Sequence, residues 1–177
     1  MTELENLAQE LGNALLARGE LLTAAESCTG GWLAQTATAI AGSSNWFERG
    51  FVTYSNAAKV EMLGVSEATL ARHGAVSEAT ARAMAQGALA HSRAQWSVAI
   101  TGIAGPGGGS AGKPVGTVCF AWASKDGGCE AEIRCFDGDR ATVREQAVRH
   151  ALQGLLARLD DQTVLIRLSP KPLLVVC

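Results

Sequence analysis

The sequence predicts an α/β fold: a three-layer α/β/α sandwich whose mixed, mainly parallel sheet has about five strands. Apolar runs suited to buried strands alternate with helical segments along the chain, which is the pattern of this architecture. A hairpin motif in residues 115–136 requires at least one antiparallel strand. The 177 residues, of which 47% are hydrophobic, are enough for one domain with a substantial core.

The first half of the chain predicts three helices and two strands. A capping-box pattern at Thr2 and Glu5 starts the first helix, and Gly19 ends its apolar stripe. Residues 21–25 form a short apolar run typical of a buried strand. The elements that follow are a helix over 30–41 closed by Gly42, a strand over 46–54, and a helix over 56–63 that ends at Gly64.

The second half predicts three helices and three strands. Ser66 and Ser77 each precede a glutamate and an alanine-rich stretch, as N-capping serines do. Residues 96–101 are typical of another buried strand. The remaining predicted elements are the hairpin strands 115–124 and 130–136, joined at 126–128, and a last helix over about 140–159 capped by Asp139.

The domain organisation follows from these elements. We expect residues 1–161 to form the catalytic domain. The segment 162–177 is apolar, contains Pro170 and Pro172, and follows an apparently complete domain. We therefore expect it to be a disordered or packed tail outside the catalytic core.

Composition excludes several classes of protein. Lysine and arginine total 15 against 17 acidic residues, a formal charge of −2 that offers no general attraction to nucleic acid. The first residues lack the basic-then-apolar order of a signal peptide, and no apolar run reaches the length of a membrane span. The five cysteines are scattered, without a CxxC pair or zinc-finger spacing. We expect a cytoplasmic protein with reduced thiols, no metal or cofactor, and no nucleic-acid or membrane partner.

The glycine-rich loop 102–113 resembles three known motifs superficially. Its glycines fit GxGxxG, most of a P-loop and GxSxG, but a strand follows the loop where the first and third motifs require a helix. Pro114 stands where a P-loop needs a serine or threonine. Exposed backbone N–H groups could still bind an anion here, and a merely flexible loop is the alternative.

The turn over residues 26–31 predicts a ligand site. It joins a buried strand to a helix at the carboxyl end of the strand, where open α/β sheets bind their ligands. Ser27 and Thr29 offer hydroxyls, and Gly30 and Gly31 allow a substrate to approach the backbone. Free N–H groups at the helix start favour negative charge. The alternative is that Ser27 or Thr29 only caps the helix.

A serine nucleophile needs a base, and the histidines do not supply one. His73, His91 and His150 lie within or at the ends of predicted helices, and no triad can be argued from them. Lys59, one turn into the helix that follows Tyr54, can serve if burial lowers its pKa. A solvated helix lysine is the alternative interpretation.

Arg140 and Arg144 lie four residues apart, and hence on one face of the last helix. They could clamp a phosphate or carboxylate. The alternative is pairing with Asp137, Asp139 or Glu145.

Together these segments resemble the CinA C-terminal domain family, whose stand-alone members are nicotinamide mononucleotide deamidases. The likeness runs from about residue 4 to residue 159 and does not include the tail. Separated motifs in one order carry it: AESCTGG at 25–31, YSNAAK at 54–59, TGIAGPGG at 101–108, PVGTV at 114–118, and GDR at 138–140 with Arg144.

The resemblance implies hydrolysis of the carboxamide of nicotinamide mononucleotide to nicotinate mononucleotide and ammonia. It implies Ser27 as nucleophile, Lys59 as its base with Tyr54 nearby, and Thr101 and Gly102 as hydrogen-bond partners of the reacting carbonyl oxygen. The further residues that we expect to bind substrate are Thr29, Gly30, Gly31, Asn56, Gly105, Gly107, Arg140 and Arg144.

The expected partners are this small substrate and a second copy of the chain, since we expect a homo-oligomer with a dimer as the favoured form. Two-domain members of the family also carry a nucleotide pyrophosphatase domain. This sequence begins at the deamidase-like domain, so we expect no pyrophosphatase activity. Rival functions are an amidase for another small amide and a non-catalytic nucleotide-binding or interaction module.

Overall fold

The computed structural model describes residues 1–168, with side chains described as far as residue 162. One sheet holds its five strands in the order β2-β1-β3-β4-β5. β1 pairs in parallel with β2 and β3, whereas β4 is antiparallel to both β3 and β5. β4 therefore runs against the other four strands, which confirms a mixed, mainly parallel sheet. The strands are β1 (Leu22–Glu26), β2 (Phe47–Val52), β3 (Trp96–Gly102), β4 (Thr117–Ser124) and β5 (Gly128–Cys135).

Helices cover both faces of this sheet, as the three-layer prediction requires. The described helices are α1 (Glu3–Arg18), α2 (Trp32–Thr38), α3 (Asn56–Leu63), α4 (Glu67–His73), α5 (Glu78–Ala90) and α6 (Arg140–Leu168). One apolar cluster joins α1, α2 and α6 to the sheet, and a second joins α3 and α5 to its other face. Alternate residues of a strand point to opposite faces, so Ala24 faces the first cluster and Ala25 the second.

Most predicted element boundaries are confirmed, and two are wrong. The capping box at Thr2 and the N-caps at Ser66 and Ser77 are all present. The second helix, predicted over 30–41, spans only Trp32–Thr38. Its start is delayed because Gly30 and Gly31 both adopt positive φ angles, of 60° and 97°.

The last helix, predicted to end near residue 159, continues to Leu168. The segment 162–168, predicted as tail, thus has helical backbone. The rest of the predicted tail, 169–177, lies outside the described residues. Within the described part of the chain, no helix is both long and apolar enough to cross a membrane.

The sheet brings three chain segments to one end. The parallel strands β1, β2 and β3 end at Glu26, Val52 and Gly102, so the residues after them share one edge of the sheet. α3 starts from the same edge after β2. Any site built from the motifs after these strands must lie there.

Gly87 allows the close approach that places α3 against α5. A Cβ at this position would lie 2.0 Å from the carbonyl oxygen of Leu63, the last residue of α3. Because that neighbour is backbone, the overlap can be relieved only by moving α5 and α3 apart, and α3 carries Lys59.

We expect Gly87→Ala to lower the free energy of unfolding by about 1–3 kcal/mol, the usual effect of overpacking. Chemical denaturation would measure it. Gly112→Ala is the matched control, since a Cβ at that position would meet no atom within 4 Å and the φ of Gly112 is not positive. Equal denaturation midpoints for the two variants would contradict the packing argument.

Candidate active site

Ser27 and Lys59 form a buried pair at the shared end of the strands. The Lys59 Nζ lies 3.0 Å from the Ser27 Oγ and donates a 2.9 Å hydrogen bond to the Thr53 carbonyl oxygen. Lys59 is 1% exposed and Ser27 8%. The predicted partnership of these two residues is therefore a direct contact, and Lys59 is not a solvated helix lysine.

Burial lowers the pKa of the Lys59 amine, because desolvation penalises its charged form. No carboxylate among the described residues forms an ion pair with it. The one group that opposes this shift is the Cys28 thiol, whose own pKa burial raises to about 12. That thiol is neutral near pH 7, so within residues 1–168 no ion pair offsets the effect of burial on the pKa of the Lys59 amine.

Glu26 occupies the start of α2, a role that its place in the sequence did not reveal. Its buried carboxylate accepts hydrogen bonds from the backbone N–H groups of Gly31, Leu33 and Ala34, at 3.2, 3.0 and 2.9 Å. These are the N–H groups that were expected to be free for a substrate anion. That expectation is wrong, because the protein's own carboxylate fills the anion site.

Arg144 binds the backbone of the same turn from the side of α6. Its Nε donates to the Cys28 carbonyl oxygen at 3.1 Å and its Nη2 to that of Thr29 at 2.9 Å. Its guanidinium also lies over the Trp32 ring, 5.2 Å from the centroid. Among the described residues, Arg144 forms no ion pair with an acidic side chain, the predicted alternative, and binds backbone carbonyls instead.

A cavity of about 260 Å³ opens in front of Ser27 and Lys59. Five further residues of the predicted site line it: Tyr54, Asn56, Thr101, Gly102 and Arg140. The Thr101 hydroxyl donates to the Ala75 carbonyl oxygen at 2.8 Å. Its hydrogen is thus already bonded, so the Thr101 hydroxyl can contact a ligand only by accepting a hydrogen bond on the oxygen lone pairs.

Gly102 presents a backbone N–H towards the Ser27 side of the cavity. The ladder between β1 and β3 ends with the bond from the Ser27 N–H to the Ile100 carbonyl oxygen, at 2.9 Å. The next N–H on that edge of β3 is that of Gly102, because Ile103 donates to β4. The chain after Ser27 has turned away, so this N–H has no acceptor within residues 1–168.

Tyr54 and Arg140 stand at the mouth of the cavity. Arg140 Nη1 donates to the Gly105 carbonyl oxygen at 2.8 Å, and Nη2 to the Tyr54 hydroxyl at 2.9 Å. Tyr54 is 61% exposed. A Cβ on Gly105 would lie 2.5 Å from Val115, so the loop can pack here only with glycine.

The remaining predicted site residues lie around the cavity rather than in its lining. The Thr29 side chain is fully buried, and its hydroxyl has no hydrogen-bond partner among the described residues. Gly30 and Gly107 are exposed, and Gly31 is partly buried. Their contact with substrate stays a prediction.

The three histidines are engaged elsewhere. His73 uses its backbone carbonyl to bind Lys113, and the His91 ring bonds to the Gly87 carbonyl. The His150 ring, on α6, pairs with Glu132 and packs against the Phe120 and Trp122 rings of β4. None of them lines the cavity.

Comparisons with known proteins agree on one family. The family model of the CinA C-terminal domain matches residues 4–159. Nicotinamide-nucleotide amidohydrolase PncC of Escherichia coli (strain K12) is 59% identical over 92% of this chain and 98% of that protein. A CinA-like protein of Syntrophobacter fumaroxidans is 50% identical over 90% of this chain but only 37% of its own length.

A solved structure gives the same result. The competence/damage inducible protein CihA from Agrobacterium tumefaciens matches with a TM-score of 0.86 at 48% identity, over 90% of this chain and 97% of that one.

We expect Glu26→Gln to lower the free energy of unfolding by about 1–3 kcal/mol. The carboxylate accepts hydrogen bonds on both of its oxygens, whereas the glutamine amide has one oxygen and one NH2 group, so the NH2 group would face at least one backbone N–H without an acceptor between them. Urea denaturation would measure the loss. Glu61→Gln, an exposed position on α3, is the control and should change stability by no more than about 0.5 kcal/mol. Similar losses in both variants would contradict this role of Glu26.

Proposed function

Because the chain belongs to the CinA C-terminal domain family, we propose that it hydrolyses the carboxamide of nicotinamide mononucleotide, with Ser27 as nucleophile and Lys59 as general base. It is in that case a nicotinamide-nucleotide amidohydrolase, like its relative in Escherichia coli. The observation that carries the mechanism is the 3.0 Å contact between the Lys59 Nζ and the Ser27 Oγ.

The hydrogen bonds of Lys59 suit a neutral amine. A neutral amine has two N–H groups and one lone pair. One N–H donates to the Thr53 carbonyl, and the lone pair can accept the hydroxyl hydrogen of Ser27. Proton transfer along this bond would activate the serine as its oxygen attacks. A substrate pyridinium in the cavity would further disfavour the charged amine by repulsion.

Acylation then needs an acid for the leaving group. Attack by Ser27 Oγ on the carboxamide carbon forms a tetrahedral oxyanion, while the hydroxyl proton passes to Lys59. The resulting ammonium returns this proton to the amide nitrogen as the C–N bond breaks, and ammonia leaves. The products of this half-reaction are ammonia and an ester between Ser27 and the nicotinoyl group.

The cavity offers hydrogen-bond partners for both the oxygen and the nitrogen of the carboxamide. The Gly102 N–H is a donor for the oxyanion, a contribution often of about 3–4 kcal/mol. Thr101 takes a different role from the one that the resemblance implied. Its hydrogen is held by Ala75, so we assign its lone pairs to the carboxamide N–H groups.

Arg140 is the cation that we assign to the substrate phosphate. It lies at the cavity mouth, and its partners Gly105 and Tyr54 are neutral groups that an anion can displace. The α2 start is closed to phosphate by the Glu26 carboxylate, which favours an orientation with the phosphate near Arg140.

Deacylation repeats the chemistry with water. Lys59 takes a proton from a water molecule that attacks the ester carbon, and returns it to Ser27 Oγ as the C–O bond breaks. Nicotinate mononucleotide leaves, and the free serine and neutral lysine are restored.

We expect purified protein to release ammonia from nicotinamide mononucleotide and Ser27→Ala to lose this activity by at least about 10³-fold. A coupled ammonia assay with a panel of small amides would measure it. Turnover of another amide but not of this nucleotide would refute the substrate. Ligand binding without turnover in either form would favour a non-catalytic module.

We expect kcat/KM to rise with pH, because only neutral Lys59 can accept the serine proton. Burial lowers the pKa of Lys59, so the midpoint should lie below the usual lysine value of about 10.4. Lys59→Met, which keeps the apolar stem, should abolish turnover and with it this ascending limb. A midpoint at or above the usual value, or a Lys59→Met variant with wild-type kcat, would contradict the role of Lys59 as base.

A further inference from the structure

Two backbone N–H groups remain unpaired in the turn that carries Ser27. The N–H groups of Ser27, Gly30 and Trp32 bond to backbone carbonyls, and those of Gly31, Leu33 and Ala34 bond to Glu26. Within the described chain, the N–H groups of Cys28 and Thr29 have no carbonyl or carboxylate acceptor. The Cys28 N–H lies near its own sulfur, which as a neutral thiol is a weak acceptor.

A backbone N–H group that is shielded from water and has no acceptor costs free energy, and folded chains normally avoid it. The position of these two N–H groups is therefore informative. They belong to the two residues directly after the nucleophile, and Cys28 lines the cavity. An N–H from the residue after a nucleophile is a common donor to the tetrahedral oxyanion in serine hydrolases.

The orientation of these N–H groups depends on Arg144. A peptide unit is planar and trans, so fixing its carbonyl also fixes the N–H of the next residue. Arg144 holds the Cys28 carbonyl, which sets the direction of the Thr29 N–H. It also holds the Thr29 carbonyl, which sets the Gly30 N–H, and that group in turn binds the Ser27 carbonyl at 3.0 Å. The Ser27 carbonyl shares its peptide plane with the Cys28 N–H.

We propose that Arg144 is a positioning residue that orients the peptide units after Ser27, so that the Cys28 N–H completes the oxyanion site with the Gly102 N–H. The proposal rests on the proposed amide hydrolysis and gives Arg144 a role other than phosphate binding. The guanidinium fork reaches two carbonyls while lying on Trp32, and a lysine cannot reproduce that geometry.

The test is the kinetics of Arg144→Ala and Arg144→Lys on nicotinamide mononucleotide. We expect kcat to fall by about 10- to 1000-fold with KM within about twofold, because oxyanion contacts act only in the transition state. The pH midpoint of kcat/KM should not move, because the contact between Lys59 and Ser27 is left intact. A raised KM with unchanged kcat would overturn the proposal and return Arg144 to phosphate binding, and a shifted pH midpoint would also overturn it.

Arg158→Ala is a matched control for general damage to α6. Arg158 also donates to a backbone carbonyl, that of Gly154, and lies 4.0 Å from the centroid of the Trp122 ring. It lies far along the helix from Arg144 and does not line the cavity. We expect its kcat to match that of wild type. An equal fall in kcat for Arg158→Ala and Arg144→Ala would overturn the positioning role.

A second measurement separates this proposal from the substrate assignment. Phenylmethanesulfonyl fluoride reacts with an activated serine: the Ser27 Oγ–S bond forms, fluoride leaves, and the hydroxyl proton passes to Lys59. Intact mass spectrometry follows the rate without any nucleotide. A wild type inactive on nicotinamide mononucleotide but labelled at Ser27 would refute only the substrate. We expect labelling of Arg144→Ala to be at least about tenfold slower, and equal rates would overturn the positioning role.

Discussion

The structure of the site depends on an amine buried without a countercharge. A lysine taken out of water is disfavoured in its charged form, and a nearby carboxylate would restore that form. Lys59 is offered only neutral oxygens, those of Ser27 and the Thr53 carbonyl. The apolar packing around α3 thus lowers the pKa of an amine that lies next to a hydroxyl, and in the mechanism that we propose this amine is the proton acceptor.

The two charged residues at the Ser27 turn act on opposite backbone groups. Glu26 takes N–H groups at the start of α2, and Arg144 takes carbonyls just after Ser27. Each would be an expensive charge to bury alone, and each is compensated by backbone dipoles rather than by a salt bridge. Together they hold the backbone of the turn by hydrogen bonds, and within the described chain the N–H groups of Cys28 and Thr29, next to Ser27, are left without a carbonyl or carboxylate acceptor.

Much of this arrangement was predictable from the sequence, for identifiable reasons. Capping residues such as Thr2 and Ser77 act locally, so the starts of α1 and α5 were predicted correctly. Neighbouring parallel strands end at the same edge of a sheet, and this topological rule predicted that Ser27, Tyr54 and Gly102 lie at one site. The contact of Ser27 with Lys59 joins residues 32 positions apart. The residues alone made Lys59 a candidate base beside the alternative of a solvated helix lysine, and the family resemblance selected between the two.

Local sequence patterns could not predict the roles of Glu26 and Arg144, for a different reason. A glutamate before a serine can point into solvent, and an arginine on a helix binds whichever anion or carbonyl the fold brings near. Their partners are backbone atoms, which have no signature in the sequence. The one available signal was that Gly30 and Gly31 need left-handed backbone, which delays α2 and opens space for the Glu26 carboxylate.

The burial of Cys28 has a consequence for chemical durability. Peroxides and alkylating agents attack thiolates, and a thiol with a pKa of about 12 holds almost none of that form at physiological pH. The sulfur atom next to Ser27 is thus held in its less reactive, neutral form. Burial therefore makes the thiol beside Ser27 less susceptible to oxidation and alkylation than an exposed cysteine.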